Sequence, residues 1–431
     1  MHFDSVFRST KVLALAGIVL AGFGATAALA ACGSSSSNGS GASADAGVDA
    51  GPVDTAYGDR GLASFPKSLI DVRVIEGADG RVSLIGQLDG AGDDPVVAVV
   101  RLLPDGTADD TFTTWSEKQV VSSARVDFTG ACVDEQGRVI VMTAVSNNSI
   151  NDAALDGVVL KRIDASGKLD TSFGSNGQVR LTGITSSDLR CRGGSIEVLG
   201  GGSNASGQGD SMVRWTLTAD GHAGTNAPSL KIPGYGEPKF DSADGIITLD
   251  DASTSWALHH YDGAGNPDSS FGDSGGAVVS VPADKTAGIQ RIDETTGNIV
   301  VNVTTTLGDR LDFYSKTGAL LGQYDHANYV SGVVFDSKGR AVAWSGISGP
   351  DTSRGFTLHR YGPDGQPDTA WGLRRFDFDF FQARNLTLTG ATPRMLAVSR
   401  DDHMLMLVEL VGHDAQSQAN VTGSYLLRLN P

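Results

Sequence analysis

The sequence is poor in cysteine and aromatic residues and has few long apolar runs. Three cysteines in 431 residues exclude a disulfide-rich scaffold, and no Cys-x-x-Cys pair that would hold zinc is present. After the first 31 residues no stretch approaches the roughly 20 apolar residues of a membrane-spanning helix. Basic side chains are also outnumbered, because 33 Lys and Arg face 50 Asp and Glu and the net charge is −17. This charge repels polyanions, so we expect no nucleic acid partner.

Several motifs of known catalytic chemistry are missing as well. The chain has no HExxH helix motif and no phosphate-binding glycine loop. His259 and His260 are adjacent and point to opposite faces of a strand, which favours a repeat position over a metal site. Asp89, Asp93 and Asp94 lie in a glycine-rich loop without the ligand spacing of a calcium loop, and we interpret them as a solvated acidic loop. We therefore expect no catalytic residue, no metal and no cofactor.

The N-terminal residues 1–31 have the three parts of a secretory signal peptide. A basic start is followed by an apolar run over residues 12–29 and by small residues before Cys32. This pattern resembles the lipobox of bacterial lipoproteins, which predicts cleavage before Cys32 and lipidation of its side chain. A plain signal peptide and an uncleaved anchor are the alternatives. Gly33 follows the cysteine where inner-membrane lipoproteins usually carry aspartate, and this favours the outer membrane.

Residues 33–53 consist almost entirely of Ser, Gly, Ala and Asp. Such a segment has too few large apolar groups to offset the entropy of ordering it, so it predicts a flexible tether with a reach of roughly 25 Å. The sequence therefore divides into a signal peptide (1–31), a lipidated cysteine with its tether (32–53), and a globular part (54–431). We expect the globular part to be a monomer that is held beside a membrane through the lipid on Cys32.

The two remaining cysteines, Cys132 and Cys191, allow two interpretations. They can pair as a disulfide in an oxidising compartment, or they can be separate buried thiols in neighbouring strands. Sequence alone does not show whether their Cα atoms come within about 7 Å, which a disulfide requires. We favour two separate thiols.

The chain repeats itself at intervals of about 54 residues. One signature is a short turn that ends in glycine and is followed by an alternating apolar strand, at successive spacings of 57, 57, 51, 52, 42 and 63 residues. Alternation of this kind predicts strands with one side more buried than the other. The seven copies are centred on Gly80, Gly137, Gly194, Gly245, Gly297, Gly339 and Asp402, the last standing in the glycine position.

A second signature follows about 25 residues later. It reads LKRIDASGKLDTSFG around Gly167, LHHYDGAGNPDSSFG around Gly265 and LHRYGPDGQPDTAWG around Gly365, with a further copy around Gly106 and degenerate copies around Gly221 and Gly318. These residues resemble the delta-60 repeat family of bacterial envelope proteins over most of the mature chain. The resemblance implies a β-propeller-like fold and no agreed chemistry.

The two ends of the globular part hold complementary pieces of one repeat. The chain finishes with SYLLRLNP, which matches VVRLLP, whereas DTAYGDRG at residue 54 matches DTSFGSNG. Together they predict a seven-bladed, all-β propeller that is closed by pairing of N-terminal and C-terminal strands in the last blade. Residues 54–431 are 378 residues, which is seven blades of 54.

Each complete second signature has a cation five positions before the glycine and a carboxylate three positions after it. The degenerate copies have lost both together, with Thr216 and Gly224 in one and Phe313 and Leu321 in the other. Paired loss favours direct contact, so we predict structural ion pairs rather than a ring of binding residues. The predicted pairs are Arg101 with Asp109, Arg162 with Asp170, His260 with Asp268, Arg360 with Asp368, and Arg428 with Asp54.

The loops that vary most lie at 146–157, 201–210, 345–354 and 412–423. Loops held by a rigid scaffold often bind partners, and these polar loops suit a polysaccharide or a polar protein surface; simple tolerance of insertions is the alternative. We expect a non-enzymatic propeller displayed in the cell envelope for contact with protein or polysaccharide. A lactonase-like or lyase-like enzyme with its site in the central channel and an envelope assembly scaffold are the alternatives.

Overall fold

A computed structural model describes residues 53–431, apart from short gaps. The gaps are residues 60, 66–68, 89–95, 119–123, 148–156, 183, 203–211, 223–228, 231, 233–237, 253–254, 284, 306–307, 327–328, 348–354, 378–379, 382–385 and 415–419. No helix in the described part is long and apolar enough to cross a membrane.

The described residues form seven four-stranded antiparallel sheets, numbered here as blades 1 to 7 in chain order. The first three blades contain β2 (Leu69–Glu76), β3 (Val82–Leu88), β4 (Val96–Leu102) and β5 (Trp115–Lys118); β6 (Ala124–Val133), β7 (Val139–Asn147), β8 (Gly157–Ile163) and β9 (Gln178–Thr182); and β10 (Ile184–Arg192), β11 (Ser195–Gly202), β12 (Met212–Thr218) and β13 (Ser229–Leu230).

Blades 4 to 6 follow the same order, and blade 7 combines the two ends of the chain. They contain β14 (Lys239–Phe240), β15 (Ile246–Ala252), β16 (Ser255–Tyr261) and β17 (Gly276–Val279); β18 (Ala287–Ile292), β19 (Ile299–Thr304), β20 (Asp309–Tyr314) and β21 (Leu320–His326); β22 (Val330–Phe335), β23 (Ala341–Gly346), β24 (Gly355–Tyr361) and β25 (Leu373–Asp377); and β26 (Leu386–Val398), β27 (Met404–Asp414), β28 (Asn420–Leu429) and β1 (Leu62–Ser64).

The seven first strands form a closed ring around a central channel. Each first strand contacts the first strand of the next blade, from β2 through β6, β10, β14, β18 and β22 to β26, and β26 contacts β2. This arrangement confirms the prediction of an all-β, seven-bladed propeller.

Blade 7 takes its outermost strand from the start of the described chain. β1 pairs antiparallel with β28, with Leu62 opposite Leu427 and Ser64 opposite Tyr425. The backbone N–H of Asp54 donates to the carbonyl of Arg428 at 3.1 Å, which extends this pairing. The N-terminal and C-terminal segments therefore belong to one sheet, and β1 covers the edge that β28 would otherwise expose.

The hydrophobic core lies in layers between successive blades. One layer packs Val97 and Val99 of blade 1 against Phe128 and Val141 of blade 2. Because both faces of a sheet are covered by neighbouring blades, the first five residues of β3 are all buried. For β3, the expectation of one more buried side is therefore wrong, since both sides are covered.

The turns between first and second strands require a left-handed backbone residue. Gly137 and Gly339 have φ of 73° and 70° there. In blade 4 the residue with this conformation is Asp244, with φ of 70°, and not Gly245 as the sequence comparison predicted. Asp402 has φ of 66° in blade 7, since aspartate tolerates this region better than most residues do.

Cys132 and Cys191 form a disulfide, with their Cα atoms 5.7 Å apart. The prediction of two separate thiols is wrong. Cys132 lies on β6 and Cys191 on β10, and these are the first strands of adjacent blades around the channel. The neighbouring positions of two first strands, which are set by the ring, bring the two residues within the reach of a disulfide.

Candidate functional site

The structure brings the members of all five proposed ion pairs together. In each pair the cation stands at the end of a third strand; the carboxylate follows the next turn in four pairs, and in the fifth it is Asp54 near the start of the described chain. The shortest cation-to-carboxylate distances are 2.7 Å for Arg101 and Asp109, 2.7 Å for Arg162 and Asp170, 2.9 Å for His260 and Asp268, 2.8 Å for Arg360 and Asp368, and 3.5 Å for Arg428 and Asp54.

Three of these arginines also bind the next blade. Arg101 donates to the carbonyl of Ala165 at 2.5 Å, and Arg162 donates to the carbonyl of Ala219. Arg428 of blade 7 donates to the carbonyl of Pro104 in blade 1 at 3.1 Å, which crosses the closure of the ring. The repeated arginines therefore join the turn of their own blade to the equivalent turn of the next one.

The repeated aromatic residues complete this contact. The guanidinium carbon of Arg101 lies 4.3 Å from the centre of the Phe112 ring, and that of Arg162 lies 4.8 Å from Phe173. Phe173 in turn lies so close to Gly221 of blade 3 that a Cβ at this glycine would come within 2.7 Å of the ring. Glycine is needed here because the aromatic ring of the preceding blade fills the space.

In four of these pairs the pKa of the carboxylate is lowered, which holds Asp109, Asp170, Asp268 and Asp368 in their charged form. Hydrogen bonds from Ser270 and His260 lower the pKa of Asp268 to about 2. Hydrogen bonds from Thr111 and Arg101 lower the pKa of Asp109 although burial opposes the charge. Carboxylates with a lowered pKa and several hydrogen-bond donors around them are poor acids and bases at neutral pH, which supports a structural role.

Blades 3 and 5 replace the missing pair differently. In blade 3 Glu197 binds both Arg190 and Arg214, and Arg214 reaches the carbonyl of Gly263 in blade 4 at 3.4 Å. In blade 5 the replacement is aromatic, because the ring of Phe313 lies 4.7 Å from that of Tyr361 in blade 6. The contact between blades 5 and 6 therefore lacks the repeated charged pair.

A groove of about 600 Å³ lies at this contact. Its lining includes Tyr324 and His326 from β21 and Ser345, His359 and Tyr361 from β23 and β24. The Tyr361 hydroxyl and the His326 Nε2 atom are 2.6 Å apart, and the rings of His326 and His359 meet edge to face at 4.9 Å.

Burial keeps the groove histidines neutral at physiological pH. Burial, together with the positive charge that His359 would carry, lowers the pKa of His326 to about 4. Burial also lowers the pKa of His359 and raises that of Tyr361. Tyr361 therefore stays protonated, and its hydroxyl is hydrogen-bonded to the neutral ring of His326.

Ser345 lines the groove and has a buried hydroxyl that is not hydrogen-bonded within the described residues. Its side chain is 1% exposed, and its Oγ has no hydrogen-bond partner among the described residues. A buried hydroxyl without a partner costs free energy, and a ligand with a donor or acceptor can satisfy it. The groove thus combines aromatic rings with neutral hydrogen-bonding groups.

The sequence comparison missed this groove. It treated His359 as a repeat position, because His259 occupies the same place in blade 4. The available signal was the loss of the ion pair at Phe313 and Leu321, which marks where blade 5 departs from the repeat. Contact between Phe313 and Tyr361 in the next blade is a tertiary property that the repeat does not encode.

The segment GDSGG at 272–276 matches the G-x-S-x-G pattern of serine hydrolases but forms a turn of the repeat. Ser274 has a left-handed φ of 58°, and Asn176 has φ of 55° at the equivalent position in blade 2. Asp273 donates its backbone N–H to the carbonyl of Gly276 at 2.7 Å, which closes this turn. The serine is therefore explained by local backbone geometry.

Several other predicted features lie outside the described residues. These are Cys32 with its signal peptide, the acidic loop with Asp89, Asp93 and Asp94, most of the variable loops at 146–157, 201–210 and 345–354, and residues 415–419 of the loop at 412–423, whose other residues belong to β27 and β28. Within the described part of the chain, no group of three or more His, Cys, Asp or Glu residues is arranged to hold a metal ion.

Comparison with known proteins gives similarity in fold only. No protein-family model and no curated protein matches the chain. The β-propeller domain of the trilobed protease from Pyrococcus furiosus aligns with a TM-score of 0.45 and 10% identity, over 85% of this chain and 97% of that chain. A puromycin hydrolase S511A mutant aligns with a TM-score of 0.47 and 13% identity, over 84% of this chain and 54% of that one, so this chain spans about half of the hydrolase.

Proposed function

We propose that this protein is a lipid-anchored protein of the cell envelope, at the outer membrane, whose propeller binds polysaccharide. The binding site is the groove between blades 5 and 6. The resemblance of the repeats to delta-60 envelope proteins and the lipobox at Cys32 support the location. The unpartnered, buried hydroxyl of Ser345 in a groove of about 600 Å³ carries the assignment of the site.

The aromatic rings and uncharged polar side chains in the lining of the groove favour a hydroxyl-rich ligand. Sugar rings present apolar faces that pack against aromatic side chains, and their hydroxyls need uncharged donors and acceptors. Tyr324 and Tyr361 supply rings, while Ser345, Thr357 and His359 supply neutral polar atoms. The groove is also lined by Asp325, Arg360, Asp368 and Arg375; Arg360 pairs with Asp368, and Arg375 pairs with Asp377.

The binding test uses envelope extract from the source bacterium, immobilised after treatment with either protease or periodate. Soluble protein of residues 53–431 should bind protease-treated extract and lose binding after periodate, which cleaves vicinal diols of sugars. His359→Leu should weaken binding by about tenfold. His259→Leu is the matched control, because it removes a histidine from the same repeat position in blade 4 and should leave binding unchanged.

Binding should also be insensitive to mild acid. Because the pKa of His326 is lowered to about 4, this histidine stays neutral between pH 8 and pH 5.5, and the lowered pKa of His359 acts in the same direction. Binding that survives periodate but not protease would identify a protein partner and contradict the proposal. Equal binding by wild type and His359→Leu would remove the groove as the site, and new reducing ends in the bound polysaccharide would show an enzyme.

The anchor has its own test. Cys32→Ser should abolish incorporation of labelled palmitate and release the protein from the membrane fraction, while the isolated propeller keeps its ligand. Unchanged membrane association of Cys32→Ser would contradict lipid anchoring without affecting the assignment of the groove.

A further inference from the structure

Arg73 and Arg291 differ from most arginines of the described propeller in having no carboxylate partner there. Among the described residues, Arg73 makes one side-chain hydrogen bond, a donation to the carbonyl of Val72 at 3.4 Å. By contrast, Arg394, which also lies on a first strand, binds Glu409. Two unpaired cations in a protein with a net charge of −17 call for an explanation.

Both side chains lie in the central channel. Arg73 is on β2, the first strand of blade 1, and Arg291 is on β18, the first strand of blade 5. Arg73 interacts electrostatically with Arg291 and with Asp188 of blade 3. Blades 3 and 5 are not neighbours of blade 1 in the ring, so these charges meet Arg73 across the channel.

Both arginines lie next to an irregularity in the pairing of their strand with the second strand of the blade. In β2 the register shifts between Ile70 and Arg73, and in β18 it shifts between Ile289 and Arg291, so each arginine directly follows a bulge. Bulges re-aim side chains and are frequent beside functional sites. Both side chains are accessible to solvent, and the surrounding protein still partly desolvates Arg73.

Arg73 also departs from the repeat. It pairs with the fifth residue after the turn glycine, and three other blades have Gly130, Gly288 and Gly332 at the equivalent position. A Cβ built on Gly288 would meet nothing within 4 Å, so the position borders open space in blade 5, whereas a Cβ on Gly332 would come within 2.7 Å of Trp344 in blade 6. Since other blades fold with glycine at this position, the fold of blade 1 does not require an arginine at residue 73.

The electrostatics of the arrangement are unfavourable without a ligand. Desolvation and the charge of Arg291 lower the pKa of Arg73, and the attraction of Asp71 and Asp188 does not offset them. The Asp188 carboxylate accepts hydrogen bonds from the backbone N–H groups of Phe240 at 3.0 Å and Leu189 at 3.1 Å. It therefore holds backbone in place instead of forming a salt bridge with Arg73.

We propose that the central channel binds a small oxyanion, a phosphate or a carboxylate, between Arg73 and Arg291. Each planar guanidinium offers a fork of donors that matches two oxygens of such a group. An anion between the two cations replaces their repulsion with two attractions. This site is separate from the polysaccharide groove, and its test does not depend on the proposed function.

The test measures binding of inorganic phosphate and of succinate to residues 53–431 by calorimetry in a buffer free of other oxyanions. We expect at least one of the two anions to bind. Tighter binding of phosphate would identify a phosphate site, and tighter binding of succinate would identify a carboxylate site. Arg73→Gln and Arg291→Gln should each reduce the affinity by about tenfold or more. Arg394→Gln is the matched control and should not change it.

A second measurement separates binding from folding. Without ligand, Arg73→Gln should be at least as stable to heat as wild type, because the repulsion is removed. Arg291→Lys should fold and keep the charge but lose the planar fork, so its affinity should fall between those of wild type and Arg291→Gln. Failure of both anions to bind wild type, or equal binding by wild type and the two glutamine variants, would overturn the proposal.

Discussion

The side chain of Arg162 makes contacts both within its own blade and with the next blade of the ring. Its guanidinium binds Asp170 in its own blade, the carbonyl of Ala219 in the next blade and the face of Phe173. The residue is 2% exposed, so these contacts replace nearly all of its hydration. A buried cation of this kind is stabilising only while every partner is present.

Removal of either partner should therefore be costly. We expect Arg162→Ala and Asp170→Ala each to lower the free energy of unfolding by about 1–3 kcal/mol in urea titrations. The double variant should lose clearly less than the sum of the two, because the partners contact each other. Arg375→Ala serves as the exposed control, since its pair with Asp377 is 56% and 28% exposed and should contribute below about 1 kcal/mol. Additive losses for Arg162 and Asp170 would contradict the coupling.

At the scale of the strand, the first strands carry most of what distinguishes one blade from another. β6 and β10 are joined by the disulfide between Cys132 and Cys191, whereas β2 and β18 carry the channel arginines next to bulges. Second and third strands are buried by the neighbouring blades, and in blade 6 they carry Ser345, His359 and Tyr361 of the groove. Functional variation is therefore concentrated around the channel and at the outer groove.

The disulfide should be a large local contribution to stability. It closes a loop of 59 residues, for which the chain-entropy model gives about 4 kcal/mol. We expect Cys132→Ala with Cys191→Ala to lower the free energy of unfolding by about 2–5 kcal/mol in urea. Wild-type protein in reducing buffer should unfold like the double variant, and identical curves for oxidised and reduced wild type would contradict the prediction.

At the scale of the whole molecule, the ring is completed by a short segment from the beginning of the described chain. β1 has three residues, yet Tyr57 and Asp54 beside it repeat the contacts that the other blades make internally. Tyr57 is 1% exposed and packs against Gly106 of blade 1. The segment thus joins blade 7 to blade 1 as well as completing a sheet.

Loss of this segment should open the ring. A protein beginning at Val53 is expected to have the same melting temperature as one that keeps the tether from residue 33. A protein beginning at Phe65 lacks β1, Tyr57 and Asp54, exposes the edge of β28, and should melt at least several degrees lower or aggregate. Calorimetry and light scattering measure both effects. Equal melting of the two truncated proteins would show that closure contributes nothing to stability.

The features of this fold that could be predicted depend on residues that are close together in the sequence. Turn glycines such as Gly137 report a left-handed backbone, and the joint loss of charge at Phe313 and Leu321 reports a contact between positions eight residues apart. In blade 4 the sequence pattern assigns the left-handed position to Gly245, one residue too late. The residue with this conformation is Asp244, because aspartate can substitute for glycine in such a turn. The groove and the disulfide escaped prediction because they join residues of different blades.

The amino-acid sequence by itself determined the class of fold, the number of blades and the partners within each turn. These features depend on backbone preferences and on contacts between residues close in the chain, which recur with every repeat. Only the tertiary structure decided that Cys132 meets Cys191, that Tyr361 meets His326, and that Arg73 and Arg291 share one channel. These meetings follow from closing seven sheets into a ring, which sets distances between residues that no local pattern relates.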